Sequence, residues 1–170
     1  MRILSILIIG IMNASYLTAQ PLQTVPHVDL DRYAGKWYEI ASYPQRFQKG
    51  CHCTVVEYTV TNKDYILVHN RCNKGSINGK LAQIKGKAFV EKKSGNAKLK
   101  IQFIWPLTGQ YWIIDLADDY SFAVVSHPHK KYLWILSRTS KMNDVTYNNI
   151  TRRLSEKGFD IKKLRATKQM

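Results

Sequence analysis

Eight short runs of β-forming residues, each parted from the next by a few residues of turn chemistry, most constrain how this chain can fold. The runs are Lys36–Tyr43, Cys53–Thr61, Tyr65–Arg71, Ala82–Glu91, Lys98–Trp105, Gln110–Leu116, Ser121–His127 and Lys131–Arg138. Between them lie segments such as Asn62-Lys63-Asp64, Ser94-Gly95-Asn96, Pro106 to Gly109 and Pro128-His129. Gly, Pro, Asn and Asp favour bends at such places. Most of these gaps are too short for a crossover connection, so neighbouring strands should pair antiparallel in an up-and-down meander. Alternation is clearest in Lys98-Leu99-Lys100-Ile101-Gln102-Phe103, where Leu99, Ile101 and Phe103 share one face and the polar residues the other. An eight-stranded sheet with one apolar face must cover it, and closing into a barrel also removes the sheet edges. The expected fold is therefore all-β, an eight-stranded antiparallel barrel with room inside for side chains and one small ligand.

The pattern changes after Arg138. Ser140 stands where it can cap a helix spanning about 141–157, with Asp144 near the start and Arg152, Arg153 and Lys157 near the end. Gly158 suits the position after the helix. Tyr147, Ile150 and Leu154 fall on one face, which would pack on the outside of the barrel. Ile161–Ala166 reads as a last short strand. With no repeat, linker or low-complexity segment, residues 20–170 read as one domain.

Residues 1–19 read differently. Arg2 precedes the apolar run Ile3 to Met12, and Leu17-Thr18-Ala19 offers a cleavage site, the pattern of a secretory signal peptide. The run is shorter than the roughly 20 apolar residues of a membrane span. No cysteine precedes Cys51, so the expectation is an exported protein, periplasmic or secreted, without an N-terminal lipid anchor. The whole chain carries 26 Lys and Arg against 12 Asp and Glu, a net charge of +14. Losing residues 1–19 removes only Arg2, which leaves 25 − 12 = +13 on the folded body. Export and the lack of a recognition motif argue against nucleic acid. An anionic membrane surface is the better match for the charge.

Gly35-Lys36-Trp37-Tyr38-Glu39 at the start of the first strand resembles the G-x-W signature of lipocalins. Asp118-Asp119-Tyr120 before the seventh strand and Leu133-Trp134-Ile135-Leu136-Ser137-Arg138 along the eighth resemble that family's second and third motifs, in order. Tyr33-Ala-Gly-Lys-Trp-Tyr-Glu, Tyr132-Leu-Trp-Ile-Leu-Ser-Arg and Lys157-Gly-Phe-Asp are similar to the branch of bacterial outer-membrane lipocalins and apolipoprotein D. The resemblance implies that Trp37 plugs the closed end of the barrel and that Arg138 lies across its indole, a cation–π contact. Gly35, Trp37 and Arg138 would thus be structural. Parity from Arg138 turns Trp134 inward, and analogy with the branch adds Tyr111, Phe103, Asn70 and Glu39 to the cavity lining. These would form an apolar chamber with a few polar groups, the composition of a small-molecule site.

Three cysteines leave one unpaired in an exported chain. Hairpin geometry slightly favours Cys53 as the partner of Cys72, whereas the resemblance favours Cys51 with Cys72. The leftover thiol raises an enzyme alternative, because one lipocalin isomerase uses a barrel cysteine. No orienting histidine and acid can be assigned to it, so no catalytic residue is expected. A zinc site from Cys51, His52, Cys53 and Cys72 would not converge, because strand alternation turns His52 away. No metal or other cofactor is implied. The expected function is non-enzymatic binding and transport or storage of a small hydrophobic or amphipathic ligand. The resemblance suggests a fatty acid or lysophospholipid. A separate reading, binding to an anionic envelope surface, rests on Lys85, Lys87, Lys92, Lys93, Lys98 and Lys100.

Overall fold

A meander of short strands that twists back on its first member is what the pairing shows. In the computed structural model the described residues are 21–170, so the expected signal peptide lies outside them. A one-turn helix, α1 (Leu30–Tyr33), leads into β1 (Gly35–Ser42), β2 (Cys51–Val60), β3 (Ile66–Lys74), β4 (Lys80–Val90) and β5 (Lys98–Ile104). Then come β6 (Leu107–Leu116), β7 (Phe122–Ser126), β8 (Leu133–Ser137), α2 (Asp144–Glu156) and the two-residue β9 (Arg165–Ala166). Each of β1 to β7 pairs antiparallel with the next, and β8 returns to β1, closing an eight-stranded barrel to which β9 adds a ninth strand beside β1. Trp37 lies opposite Val56 on one side, and Glu39 lies opposite Leu136 on the other.

The apolar residues divide into two clusters, one on each side of the wall. Inside, Trp37, Tyr58, Val68, Leu99, Tyr111, Ile113, Val125 and Leu136 pack together. Outside, Ile150 and Leu154 of α2 are buried with Ile114, Val124, Leu133 and Ile135, and Tyr147 packs beside them. Arg153 clamps the helix to β6 through Asp115, at 2.7 Å. The helix ends in a Schellman motif: Gly158 has φ of 77° and donates to Ser155, while Phe159 donates to Leu154.

Three expectations need adjustment. The helix is capped by Asn143, whose Oδ1 accepts from the Thr146 amide at 2.8 Å, so it starts at Asp144 and not at 141. Ser140 is not the cap because the chain around it is held as a loop, with the Thr139 hydroxyl donating to the Lys141 carbonyl. Ile161–Ala166 is only partly strand, since Asp160 caps a 3-10 turn over Ile161–Lys163 before β9. Residues 21–34, unmarked by any period, also pack against the barrel: Val28 is fully buried, and the Val25 and Val28 amides donate to Ile113 and Gly95.

One irregularity shapes the wall. Between the pairs His52↔Asn73 and Val55↔Arg71, Cys53 and Thr54 together face the single residue Cys72. Two residues against one make this a β-bulge, in which Cys53 takes a left-handed φ of 50°. Above it β1 and β2 part, and the C-terminal segment enters the gap. The Cys53 amide donates to Lys168 at 2.7 Å, the Thr167 amide donates to Ile40 at 2.9 Å, and the Gln169 side chain donates to the carbonyls of both Glu39 and Thr54.

Candidate ligand cavity

The closed end is built from residues far apart in sequence. Gly35 opens β1 with φ of 88°, a left-handed value that a side chain would strain, and this sets Trp37 pointing inward. The Trp37 indole donates to the Tyr33 carbonyl at 2.8 Å and is fully buried. Arg138, one residue beyond β8, places its guanidinium 3.8 Å from the centre of the Trp37 ring. It also donates to the carbonyls of Lys36, Arg32 and Tyr120, stitching α1, β1 and the β6–β7 turn together. Arg32 in turn lies 4.1 Å over the Tyr120 ring and donates to Asp118.

Above this floor the phenols of Tyr33, Tyr58 and Tyr111 form a buried chain. Tyr58 donates to Tyr111 at 2.7 Å, and Tyr111 and Tyr33 share a second bond of 2.7 Å. Burial pushes all three phenols well above their ordinary pKa, because an ionised ring would sit in an apolar interior.

Above the tyrosines lies a cavity of about 740 Å³. Its walls are mainly apolar, with Val56, Val68, Ile101 and Leu136 among them. All five sequence-derived lining residues border it: Trp134, Tyr111, Phe103, Asn70 and Glu39. Sequence reasoning missed Tyr58 and Thr54 on β2, and Phe47 and Gln48 of the β1–β2 loop. Parity from Val56 would have found Tyr58. The bulge obscured Thr54, and the loop residues carry no periodic signal. Gln48 joins the two sides of the upper wall, accepting from the Trp134 indole at 3.2 Å and donating to Glu39 at 3.0 Å.

The cavity opens at the end carrying the β1–β2, β3–β4, β5–β6 and β7–β8 connections. Large apolar side chains ring that mouth: Trp105 is 81% exposed, Leu107 69%, Ile104 65% and Phe47 64%. Arg46, Lys49, Lys80 and Lys131 lie around the same end. His127 borders the mouth, and its Nδ1 accepts from the His129 amide at 3.1 Å. Desolvation, helped by the nearby His129 and Lys131, holds its pKa below the ordinary imidazole value. Of the lysines behind the surface-binding reading, Lys92 and Lys93 instead occupy the β4–β5 turn at the closed end, and Lys98 stacks on Trp112 at 4.2 Å.

Cys51 and Cys72 form a disulfide with Cα atoms 5.4 Å apart. The bulge explains why Cys53 is left out: its left-handed backbone turns the thiol toward the Ile77 carbonyl, 3.8 Å away. The buried Cys53 is the free cysteine among the described residues and does not border the cavity.

A barrel closed by Trp37 and Arg138, with an apolar chamber above, agrees with what comparison with known proteins finds. The lipocalin-like domain family matches residues 28–169. The chain is a lipocalin. It is 40% identical over 157 residues to temperature-induced lipocalin-1 of Arabidopsis thaliana, covering 87% of this chain and 83% of that protein. It is 32% identical to the outer membrane lipoprotein Blc of Vibrio cholerae, over 91% of this chain and 90% of that one. Mouse apolipoprotein D is 34% identical over 83% of this chain and 77% of its own length. Among solved structures, insecticyanin from the tobacco hornworm Manduca sexta superposes with a TM-score of 0.73 at 22% identity, covering 90% of this chain and 87% of that one. Lipocalins typically bind small hydrophobic ligands, and this lipocalin has the chamber to do so. Among the described residues, no helix is long and apolar enough to cross a membrane.

Proposed function

We propose that this lipocalin is an exported, non-enzymatic carrier of a single-chain amphiphile, a fatty acid or lysophospholipid, with residues 20–170 as its mature unit. The observation that carries this reading is the 740 Å³ cavity, apolar for most of its wall and open at one end. Its volume lies within the range of small-molecule sites, roughly 300–1,000 Å³. An acyl chain entering it would gain roughly 0.8 kcal/mol per buried CH₂. Trp134, Tyr111, Phe103, Asn70 and Glu39 are proposed as ligand contacts because they border that space. Cys53 faces away from it, which supports binding without chemistry.

The mouth suggests where exchange takes place. Trp105, Ile104 and Leu107 project from the β5–β6 hairpin tip, with cationic residues around the same rim. Apolar side chains beside Lys and Arg suit the interface of an anionic bilayer. The carrier would then load or release its ligand by transient contact with that surface.

Native mass spectrometry of protein purified without detergent, with extraction of bound lipid, tests the carrier reading. Addition of an acyl probe while following tryptophan fluorescence completes it. A bound amphiphile, or saturable one-to-one uptake, is expected. A cavity that is empty and takes up no acyl probe would overturn the proposal. For the membrane contact, co-sedimentation with phosphatidylglycerol vesicles should weaken with added salt and on Trp105→Ser. Sedimentation indifferent to both would remove it.

A further inference from the structure

A second concavity lies beside the ligand chamber, where the C-terminal segment enters the wall. β9 pairs with the end of β1, Ala41 with Ala166 and Ser42 with Arg165, in the place that β2 has left. The β1–β2 loop supplies the other side. Between them is a groove of about 480 Å³, lined by Arg46 and Lys49 of the loop, His52 of β2, and Arg165 and Lys168 of the C-terminal segment. Glu39, Gln48 and Cys51 border both this groove and the interior cavity, so one layer of side chains separates the two.

The charge in this groove has no counterweight. Arg46, Lys49, Arg165 and Lys168 line it against a single acid, Glu39. That acid is buried and accepts from Ser42, Gln48 and Thr167, all neutral donors. Elsewhere cations find carboxylates: Arg71 pairs with Glu57, Lys100 with Glu91 and Arg153 with Asp115. Arg46, Lys49 and Lys168 have no such partner among the described residues. Arg165 donates through Nη1 to the Lys162 and Leu164 carbonyls, at 2.7 and 2.9 Å, which holds its guanidinium and leaves Nε and Nη2 available. The cations come from two segments far apart in sequence, so only the fold brings them together. Charges of one sign lining a concave site focus the potential there and draw in anions.

We infer that this groove is a second binding site, outside the barrel, for a phosphate-bearing anion. Guanidinium groups bind phosphate through paired N–H bonds, and lysine ammonium groups add charge around it. The tetrahedral oxygens of a phosphate point to both sides of the groove at once, which the two coplanar oxygens of a carboxylate do not. The groove lies at the mouth end, next to the exposed Phe47, so its position favours the phosphate of a bilayer lipid head as the source. That choice of source rests on the membrane contact proposed above; the anion site itself does not. A lipid head bound there would turn the mouth toward the bilayer while the chamber stays free for its own ligand.

Two pairs of substitutions, each removing two cations from the mouth end, separate a site from diffuse charge. Arg46→Gln with Lys168→Gln takes one cation from each side of the groove, whereas Lys80→Gln with Lys131→Gln takes two rim cations that do not line it. None of the four forms an ion pair among the described residues, so both double variants should fold. Glycerol 3-phosphate is titrated into the mature protein and followed by amide shifts in NMR spectra. Saturable shifts in the β1–β2 loop and the C-terminal segment are expected. The groove pair should raise the dissociation constant on the order of tenfold, and the rim pair by less than about twofold. In a second arm, co-sedimentation with phosphatidylglycerol vesicles should fall further for the groove pair than for the rim pair. No shifts in the groove, or equal effects of the two pairs on glycerol 3-phosphate, overturn the site. Groove-specific binding of glycerol 3-phosphate, with vesicle binding that treats the two pairs alike, supports the site and assigns it to soluble phosphate esters in place of a lipid head. Vesicles that do not bind even the unsubstituted protein overturn the membrane contact alone.

Discussion

The tyrosine chain beneath the cavity gives an unequal prediction for chemically equal substitutions. Tyr111 is the middle member: it accepts from Tyr58 and shares its other bond with Tyr33. Tyr111→Phe deletes one hydroxyl and strands two, at roughly 1–3 kcal/mol for each buried orphan, for a total of about 2–6 kcal/mol. Tyr58→Phe leaves the Tyr33–Tyr111 bond intact and should cost only about 0.5–1.5 kcal/mol. In the Tyr58→Phe background Tyr111→Phe strands a single hydroxyl, so the double variant should be less destabilised than the sum of the singles. Alkaline pH provides a second reading of the same chain. The folded pKa values are raised by burial, so the stabilisation is complete below the unfolded tyrosine pKa near 10 and is lost as pH rises above it. Unfolding then releases up to three protons, a slope of roughly 4 kcal/mol per pH unit at 1.36 kcal/mol each. Tyr43 and Tyr147, also raised by burial, add a background common to all variants. Urea denaturation at pH 8 and from pH 10 to 11 measures both effects. Equal costs for the two single variants, or no loss of stability above pH 10, would refute the argument.

Arg138→Met should cost about 2–3 kcal/mol, combining the loss of its stacking on Trp37 with three stranded carbonyls, while leaving the affinity for an acyl probe within about twofold; thermal melting and titration check the two halves. Reduction of the Cys51–Cys72 bridge, or its replacement by serines, should cost about 3 kcal/mol by loop-closure entropy over 21 residues, read from urea midpoints with and without reductant. His127 should titrate below pH 6.5 in the folded protein, so its contribution to stability is present above that pH and is lost as pH falls through the folded value. Protonation there removes the acceptor for the His129 amide, and NMR titration of the imidazole with hydrogen exchange at His129 follows both events.

The barrel was legible because side-chain parity reports burial directly. Leu99 is buried as its alternation with Lys98 and Lys100 requires, and Trp134 reaches the cavity by parity counted back from Arg138. The pairing of Cys72 was not legible from that same parity. A regular hairpin favours Cys53, and only the bulge, which spends two residues against one, hands the bond to Cys51. The helix was legible but its first turn was not, since Ser140 and Asn143 are both fit to cap and the choice is made by the loop around Thr139. Residues 21–34 and 165–169 earn their places by filling gaps left by other segments, which no local pattern records. The cavity lining was half visible: Glu39 and Asn70 came from resemblance, whereas Thr54 depends on where the bulge falls.

The insertion of the C-terminal segment into the wall also sets a clock. Glu39 takes hydrogen bonds from Thr167 and Gln169, partners 128 and 130 positions away in the chain. At translation rates of about 5–20 residues per second, roughly 6–26 seconds separate the synthesis of Glu39 from that of Thr167. Until that segment arrives, Glu39 lacks two of its partners and the seam between β1 and β2 is unfilled. The strand that begins the barrel is therefore completed by nearly the last segment to emerge, and a chaperone that keeps the chain extended until then would prevent β1 and β2 from zipping shut across the place reserved for it.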